Sequence, residues 1–530
     1  MKRFRLWMVI PFLLLGTGGW LATNTDLFFQ ITRNLEIFSK VYRLVLINYT
    51  DEIDPSRFMS RGIQAMLMAL DPYTTFIEST ATDMELMMSG NTGGLGISVN
   101  KSGDGLVITE VIEGFAAYRE GLRVGDVITR VDSVQVSSLS DLSQKVRGKP
   151  GTTVLLDIRR PGTRQELQFM VTRERNQLSN IPVSVMLADS VGYIKLYRFN
   201  KNTGSDLRKS IQALQKQGLA GLILDLRGNP GGRLDEAVQV SSQFLPLNTL
   251  VVTMKGRSEE SRQDFFSDER PVYGTGPLVV LIDSLSASAS EIVAGALQDH
   301  DRATLVGTRS FGKGLVQTIH PVAYETSLKM TTARYYTPSG RCIQVEPINE
   351  FDDSDSTKTD STAFRTDSGR PLKAANGISP DILVSAKPLP AAIRLIERYS
   401  MVSWFADSLA PRLTPSLGFK PTNEQISGLI GFLKTNRLAS KTYTSQDLAE
   451  LKARALTFGP YDRFVKSLDE SAMAFENDLY AELESNREIL GSMIRRDCLL
   501  RWYPLGEVVL QTYQSDRQLI QAVSTLRTPR

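Results

Sequence analysis

Histidine and cysteine are nearly absent from this chain of 530 residues, which holds only His300, His320, Cys342 and Cys498. No zinc site with the usual His/Cys spacing can be assembled from so few ligands, so no metal is expected. A disulfide-dense module is excluded as well, although a single Cys342–Cys498 bridge stays open. An excess of charge of either sign is also missing. Lys+Arg number 61 and Asp+Glu 58, a formal net charge of +3, which gives no reason to expect nucleic acid as a partner. Hydrophobic residues at 42% and charged residues at 22% exclude wholesale disorder. At roughly 150 residues per domain, the length predicts three or four domains. Acid–base chemistry must therefore run through one of two histidines or through neither.

The amino terminus reads as a targeting segment. Lys2, Arg3 and Arg5 precede an apolar run from Leu6 to Ala22. Seventeen helical residues span about 25 Å, short of the roughly 30 Å hydrocarbon core. An export signal within residues 1–24 fits this shape, and Gly16, Gly18 and Ala22 supply small residues near a cleavage point. Trp20 interrupts the small-x-small pattern, so an uncleaved anchor stays open. Either way the basic end stays cytoplasmic and the rest of the chain is exported. The expected location is the bacterial periplasm, free or anchored to the inner membrane.

Four further regions follow. Residues 27–88 read as helical, with Leu35, Phe38, Val41, Tyr42, Val45 and Tyr49 in one stripe and a stop at Asp71-Pro72. Residues 92–174 read as short strands separated by turns, with a helix from Ser140 or Asp141 to Val146. Residues 175–398 contain alternating strands and helices, and the acidic, Ser/Thr-rich stretch 349–370 reads as a mobile loop. Residues 399–530 read as helical. Of the histidines, His300 reads as a solvated or capping residue, and His320, seven residues from Lys313, has no expected catalytic role.

In the strand-rich region, Gly93-Gly94-Leu95-Gly96-Ile97 opens a strand, and its bare backbone N–H groups can hold a terminal carboxylate. The turn Gly121-Leu122-Arg123-Val124-Gly125-Asp126 follows. In this order they resemble a PDZ domain, with Gly94, Leu95, Gly96 and Ile97 as the peptide-binding residues. Gly114-Phe115-Ala116-Ala117 stands where bacterial PDZ domains often carry Gly-Ser-Pro-Ala.

Three motifs mark the α/β region. Gly221–Arg227 followed by Gly228-Asn229-Pro230-Gly231-Gly232 is a strand, a glycine turn and a helix start, which together aim N–H donors at one place. Leu278–Asp283 followed by Ser284–Glu291 is a buried strand entering a helix. Ser288 with Glu291 matches a capping box, and a Ser at such a junction is also a candidate nucleophile. Gly307-Thr308-Arg309-Ser310-Phe311-Gly312-Lys313 has the spacing of a nucleotide-binding loop. Gly314 stands where Ser/Thr should follow, and a strand comes next rather than a helix, which argues against an ATPase.

Ser288 and Lys313 together suggest a Ser–Lys hydrolase. A Lys base must be neutral, and lowering its pKa from about 10.4 to 7–8 costs roughly 4 kcal/mol, supplied by desolvation. Gln317 lies four residues on, and on a strand it would face the same side as Lys313 and hold its amine.

The segments LILDLRGNPGG, SLSASASEIVAGALQD, VGTRSFGKGLVQ and YYTPSGRCIQ resemble those of the carboxyl-terminal processing peptidases, or tail-specific proteases. LDPYT at 70–74 and GISPDI at 377–382 agree with this. The resemblance implies Ser288 as nucleophile, Lys313 as general base, Gln317 as its positioner, and the N–H groups of Gly232 and Ala289 as oxyanion hole. It also implies a multidomain α+β chain: an α/β serine-peptidase core with an inserted PDZ domain, an amino-terminal helical part and a carboxyl-terminal helical extension. The expected partners are proteins or peptides bound by their carboxyl-terminal tails, with no cofactor. A membrane tether and a homo-oligomer stay open. The alternative is an exported, non-catalytic PDZ scaffold.

Overall fold

The computed structural model describes residues 9–78, 93–102, 105–112, 115–123, 125–160, 166–175, 180–324, 326–344, 364–372, 376–385, 389–399, 401–459 and 462–527. Side chains are described from residue 28 onward, except at 100–102, 109, 110, 175, 259, 443 and 458. The expected targeting segment thus falls outside the described side chains, and its first eight residues lie outside the described residues altogether. Among the described residues no helix is long and apolar enough to cross a membrane.

A six-stranded sheet organises the catalytic region, in the order Val183–Met186, Val191–Lys195, Gly221–Asp225, Leu278–Ile282, Thr304–Gly307 and Ile382–Leu383. The first pair is antiparallel and the rest are parallel. Its strands are apolar on both faces, so both faces need cover. Leu222, Leu224, Val280, Ile282 and Leu305 pack in one core with Leu207, Ile211, Val240, Ile292 and Leu297 of the helices Thr203–Gln215, Leu234–Ser242 and Ala289–Asp299. The alternate residues Ile223, Val279, Leu281 and Val306 pack against Leu519, Ala522 and Val523. These last come from the helix Arg517–Arg527, so the end of the helical extension forms the second cover of the catalytic sheet.

A second, antiparallel sheet, the cap sheet, has the order Thr75–Ile77, Ser327–Tyr336, Leu250–Gly256 and Gln263–Phe266, with Leu315–Pro321 also paired to Ser327–Tyr336. Its first strand lies in the region expected to be helical. The helix Pro55–Met68 ends before Asp71, whose carboxylate accepts the Tyr73 and Thr74 N–H groups and turns the chain into that strand. Upstream, the helix Val9–Asn48 meets Pro55–Met68 through Tyr42 stacked on Phe58 at 5.9 Å. Of the predicted stripe, Leu35, Phe38, Val41 and Tyr49 remain exposed.

The inserted domain is a sheet in the order Ile97–Ser102, Gly105–Val111, Val127–Val131, Thr153–Arg159 and Glu166–Thr172, around a core of Leu106, Ile108, Ile128, Leu156 and Ile158. Its helix spans Leu139–Val146 and begins one residue before the earlier of the two expected starts, because the Ser138 side chain takes the Asp141 N–H at 3.1 Å. Gly125, at φ +86°, presents bare backbone to the helical extension: a Cβ there would lie 2.0 Å from Trp404 Cζ2.

Three further expectations change. Phe364–Arg365 pairs with Pro371–Leu372 inside the segment expected to be a loop, and Asp367 N–H bonds the Asp299 carbonyl at 2.9 Å; residues 345–363 lie outside the described residues. His300 is the carboxyl-terminal cap of the helix Ala289–Asp299, one of the two roles expected of it, but it is not solvated: its Nδ1 meets Asp367 Oδ2 at 2.7 Å and its Nε2 meets the Leu250 carbonyl at 2.8 Å. Cys342 and Cys498 are both free thiols. Cys498 is buried in the helical body with Ile494, Leu429 and Leu433, and burial pushes its pKa up to about 11.

Candidate active site

Two adjacent parallel strands, Gly221–Asp225 and Leu278–Ile282, run into the glycine turn and the serine turn respectively. Sites in open α/β sheets form at such carboxyl-terminal strand ends. Asp225 anchors the first turn. It is buried and held well below the usual carboxylate range, because the Arg227 and Lys195 cations and the hydrogen bonds from Arg227 and Tyr193 outweigh its desolvation. Arg227 also bonds Asp516 and Gln518 at the start of the last helix, at 2.8 and 3.0 Å. Asn229 ties the two turns together, its carbonyl accepting from Ala287 N–H at 3.0 Å and Ser290 Oγ at 2.9 Å.

Ser288 sits at φ 54°, ψ −114°, a strained conformation for a residue with a side chain. A strained turn of this sort usually needs small neighbours. Ala287 and Ala289 flank it in sequence, and Gly231 supplies the missing room in space. A Cβ on Gly231 would fall 2.6 Å from the Ala287 carbonyl oxygen and 2.9 Å from Ser288 Cβ. Next to it, Gly232 forms a parallel bridge with Phe199 through Phe199 N–H to Gly231 O and Arg233 N–H to Phe199 O. That pattern turns the N–H of Gly232 itself away from Phe199. Ala289 is the first residue of its helix, where the N–H has no intrahelical acceptor.

Glu291, fully buried, joins the serine to the lysine. One carboxylate oxygen accepts Ser310 Oγ–H at 2.5 Å and Gly312 N–H at 2.7 Å, and the other accepts Ser288 N–H at 2.9 Å and Lys313 N–H at 2.8 Å. Burial pushes this carboxyl above its ordinary pKa, and the four donors pull against that rise. The lysine loop is fixed on its other sides too. Phe311 N–H bonds Ser286 O, Ser310 N–H bonds Ile378 O, and Gly314 N–H bonds Gln344 Oε1 at 2.9 Å. The segments 377–382 and 335–344 thus hold the loop that carries Lys313.

Burial, followed by the nearby Lys329 charge, depresses the Lys313 pKa, with Glu291 opposing. Its Nζ lies 4.7 Å over the Tyr73 ring. Thr74 Oγ1 in turn takes the Thr331 N–H at 3.2 Å, locking 71–74 to the cap sheet. Among the described residues no hydrogen bond joins Lys313 Nζ to Ser288 Oγ or to Gln317. Gln317 instead bonds Thr331 Oγ1 at 3.5 Å. Lys313 precedes the strand Leu315–Pro321, and the register shifts between Val316 and Gln317, so strand alternation does not bring Gln317 to the side of Lys313. His320 is an exposed residue farther along the same strand. Sequence reasoning passed over Glu291 as a cap and gave no role to Tyr73, Ser310 or Gln344.

In the inserted domain, Gly96 at φ +79° closes a turn in which Leu95 O accepts Ala117 N–H and Gly96 O accepts Ile112 N–H. The Leu95 side chain is in the core, so that residue offers backbone alone. Ile97 begins the edge strand of its sheet.

Residues 190–350 match peptidase family S41, and residues 93–171 match a PDZ domain. The carboxy-terminal-processing protease of Bartonella bacilliformis is 37% identical over 319 residues, covering 59% of this chain and 73% of that one. The carboxyl-terminal-processing protease of Synechocystis sp. is 33% identical over 363 residues, covering 63% and 84%. Among solved structures, a photosystem II D1 C-terminal processing protease is 26% identical, covers 67% of this chain and 88% of its own, and superposes with a TM-score of 0.40. The strand-end serine turn, the glycine turn and the inserted PDZ domain thus belong to a member of the carboxyl-terminal processing proteases, serine peptidases of family S41.

Proposed function

We propose that this protein is an exported endopeptidase that takes protein tails in its PDZ domain and cleaves them with a Ser288–Lys313 dyad. The reading is carried by Glu291, whose single carboxylate oxygen holds the backbone N–H of both Ser288 and Lys313. Two residues 25 positions apart are thereby fixed to one atom, and the lysine is partly desolvated. Ser288 Oγ attacks the scissile carbonyl and passes its proton to neutral Lys313 Nζ. The oxyanion forms against the N–H groups of Gly232 and Ala289. The lysine ammonium then protonates the leaving amine. Water, deprotonated by the same lysine, releases the acyl group from Ser288. Gln317 contributes at a distance, through Thr331 and the cap sheet.

The tail adds as a strand along Ile97–Ser102, its carboxylate against the N–H groups of residues 94–97. The helix Leu139–Val146 flanks that strand. Export rests on the basic residues Lys2, Arg3 and Arg5 ahead of the apolar run. The test is cleavage of an unstructured protein with an apolar tail by wild type, Ser288→Ala and Lys313→Ala. Both variants are expected to lose turnover while keeping affinity for the tail peptide, and full activity in either sinks the dyad.

A further inference from the structure

The cap sheet has a second face that the catalytic reading does not use. Along Ser327–Tyr336, Thr331 meets Thr74 and Gln317, whereas Thr332 Oγ1 meets Thr318 Oγ1 at 2.6 Å, and Thr332, Arg334 and Tyr336 line one cleft with Lys255. The register of the neighbouring strand places Lys255 directly opposite Arg334. Like charges in that position destabilise a sheet unless something anionic lies between them. Lys255 Nζ stands 4.7 Å over the Tyr336 ring, and Arg257, Ser258 and Arg262 of the following segment close the space into a cleft of about 440 Å³. Acids are few here. Asp264 is bound to Arg262 at 3.1 Å and to Thr253 Oγ1 at 2.6 Å, and Glu260 is exposed. Lys255 also helps hold the Asp264 carboxyl below its ordinary pKa, after Thr253 and Arg262, yet among the described residues Lys255, Arg257 and Arg334 have no carboxylate oxygen within 4.0 Å.

From this juxtaposition we propose that the outer face of the cap sheet binds an acidic peptide segment, with Lys255 and Arg334 at its centre. The cations lie side by side across two strands, about 5 Å apart in the pairing direction, and continue into the connecting segment. That spread suits successive Asp or Glu side chains of an extended chain better than one compact anion. A protein held by its tail in the PDZ domain and by an acidic stretch here would be gripped at two places, but the binding claim does not depend on the catalytic assignment.

The experiment measures fluorescence anisotropy of a labelled hexaglutamate peptide on the full chain carrying Ser288→Ala, with and without Lys255→Gln/Arg334→Gln. The double variant should bind about tenfold more weakly, and raised salt should weaken the parent in the same way. Its melting temperature should equal or exceed the parent's, because the like-charged pair is gone, and this separates lost binding from lost fold. Unchanged affinity in the double variant, or equal binding of a hexaglutamine peptide, overturns the proposal. Complete displacement by inorganic phosphate at equal charge concentration would make the cleft a simple anion site and overturn the peptide assignment.

Discussion

Replacing Glu291 by Gln tests the centre of the site, because the substitution keeps the shape and removes one acceptor and one charge. In the wild type four donors converge on two oxygens. The best the amide can do is keep its oxygen toward Ser288 and Lys313, while its NH₂ donates to the Ser310 hydroxyl, which already accepts the Ile378 N–H at 2.6 Å and must turn its own proton away. The Gly312 N–H then faces a donor and is left unpaired. One buried unsatisfied group costs about 1–3 kcal/mol, or roughly 2–12 °C of melting temperature for a domain of this size. Glu291→Ala strands all four donors, and its cost should be on the order of 5 kcal/mol or more. The charge has a separate readout. Glu291 opposes the depression of the Lys313 pKa, so its removal lowers that pKa further. A lysine base loses activity as pH falls through its folded pKa. The acid limb of kcat/KM should therefore move to lower pH in Glu291→Gln. Calorimetry and a pH–rate profile on a tail peptide check both parts. An unmoved or upward-moved limb together with an unchanged melting temperature would refute the role given to this carboxylate.

Two other substitutions probe elements that the chemistry rests on. Gly231→Ala forces a Cβ against the Ala287 carbonyl and Ser288 Cβ at φ +95°; since misplacement by about 1 Å costs roughly 10²-fold, kcat should drop by that order with tail-peptide affinity intact, and wild-type kcat would contradict it. Leu519→Ala removes a buried side chain between the last helix and the sheet; chemical denaturation should show a loss of about 2–5 kcal/mol, with activity retained where the protein stays folded.

The proposed Ser288–Lys313 pair could be named from the chain because each member sits in a pattern that local physics explains: Ser288 where a buried strand enters a helix, Lys313 between two glycines. What escaped the sequence depended on segments meeting in space. The room for the strained Ser288 comes from Gly231, so no glycine-flanked serine signals it in the chain. Glu291 looked sufficient as a helix cap, and only the fold brings Ser310, Gly312 and Lys313 to the same carboxylate. The face argument for Gln317 assumed unbroken alternation, which a late strand start and a bulge remove. His300 looked solvent-facing at a helix end, until the hairpin around Asp367 folds over it. The helical character of 399–530 was plain from periodicity, but an apolar helix face does not announce which sheet it will cover.

The helix Arg517–Arg527 gives the catalytic domain an unusual dependence on chain order. Every strand of the central sheet leaves the ribosome before the segment that shields Ile223, Val279, Leu281 and Val306. Until the helical body between them has folded and delivered that segment, those side chains face water, and Arg227 lacks Asp516 beside the turn that leads to Gly232. Closing so long a loop is a late, non-local event. Assembly of the peptidase is thus tied to completion of its own carboxyl-terminal part, and a fragment trimmed to the family-matched region would emerge with one face of its sheet bare.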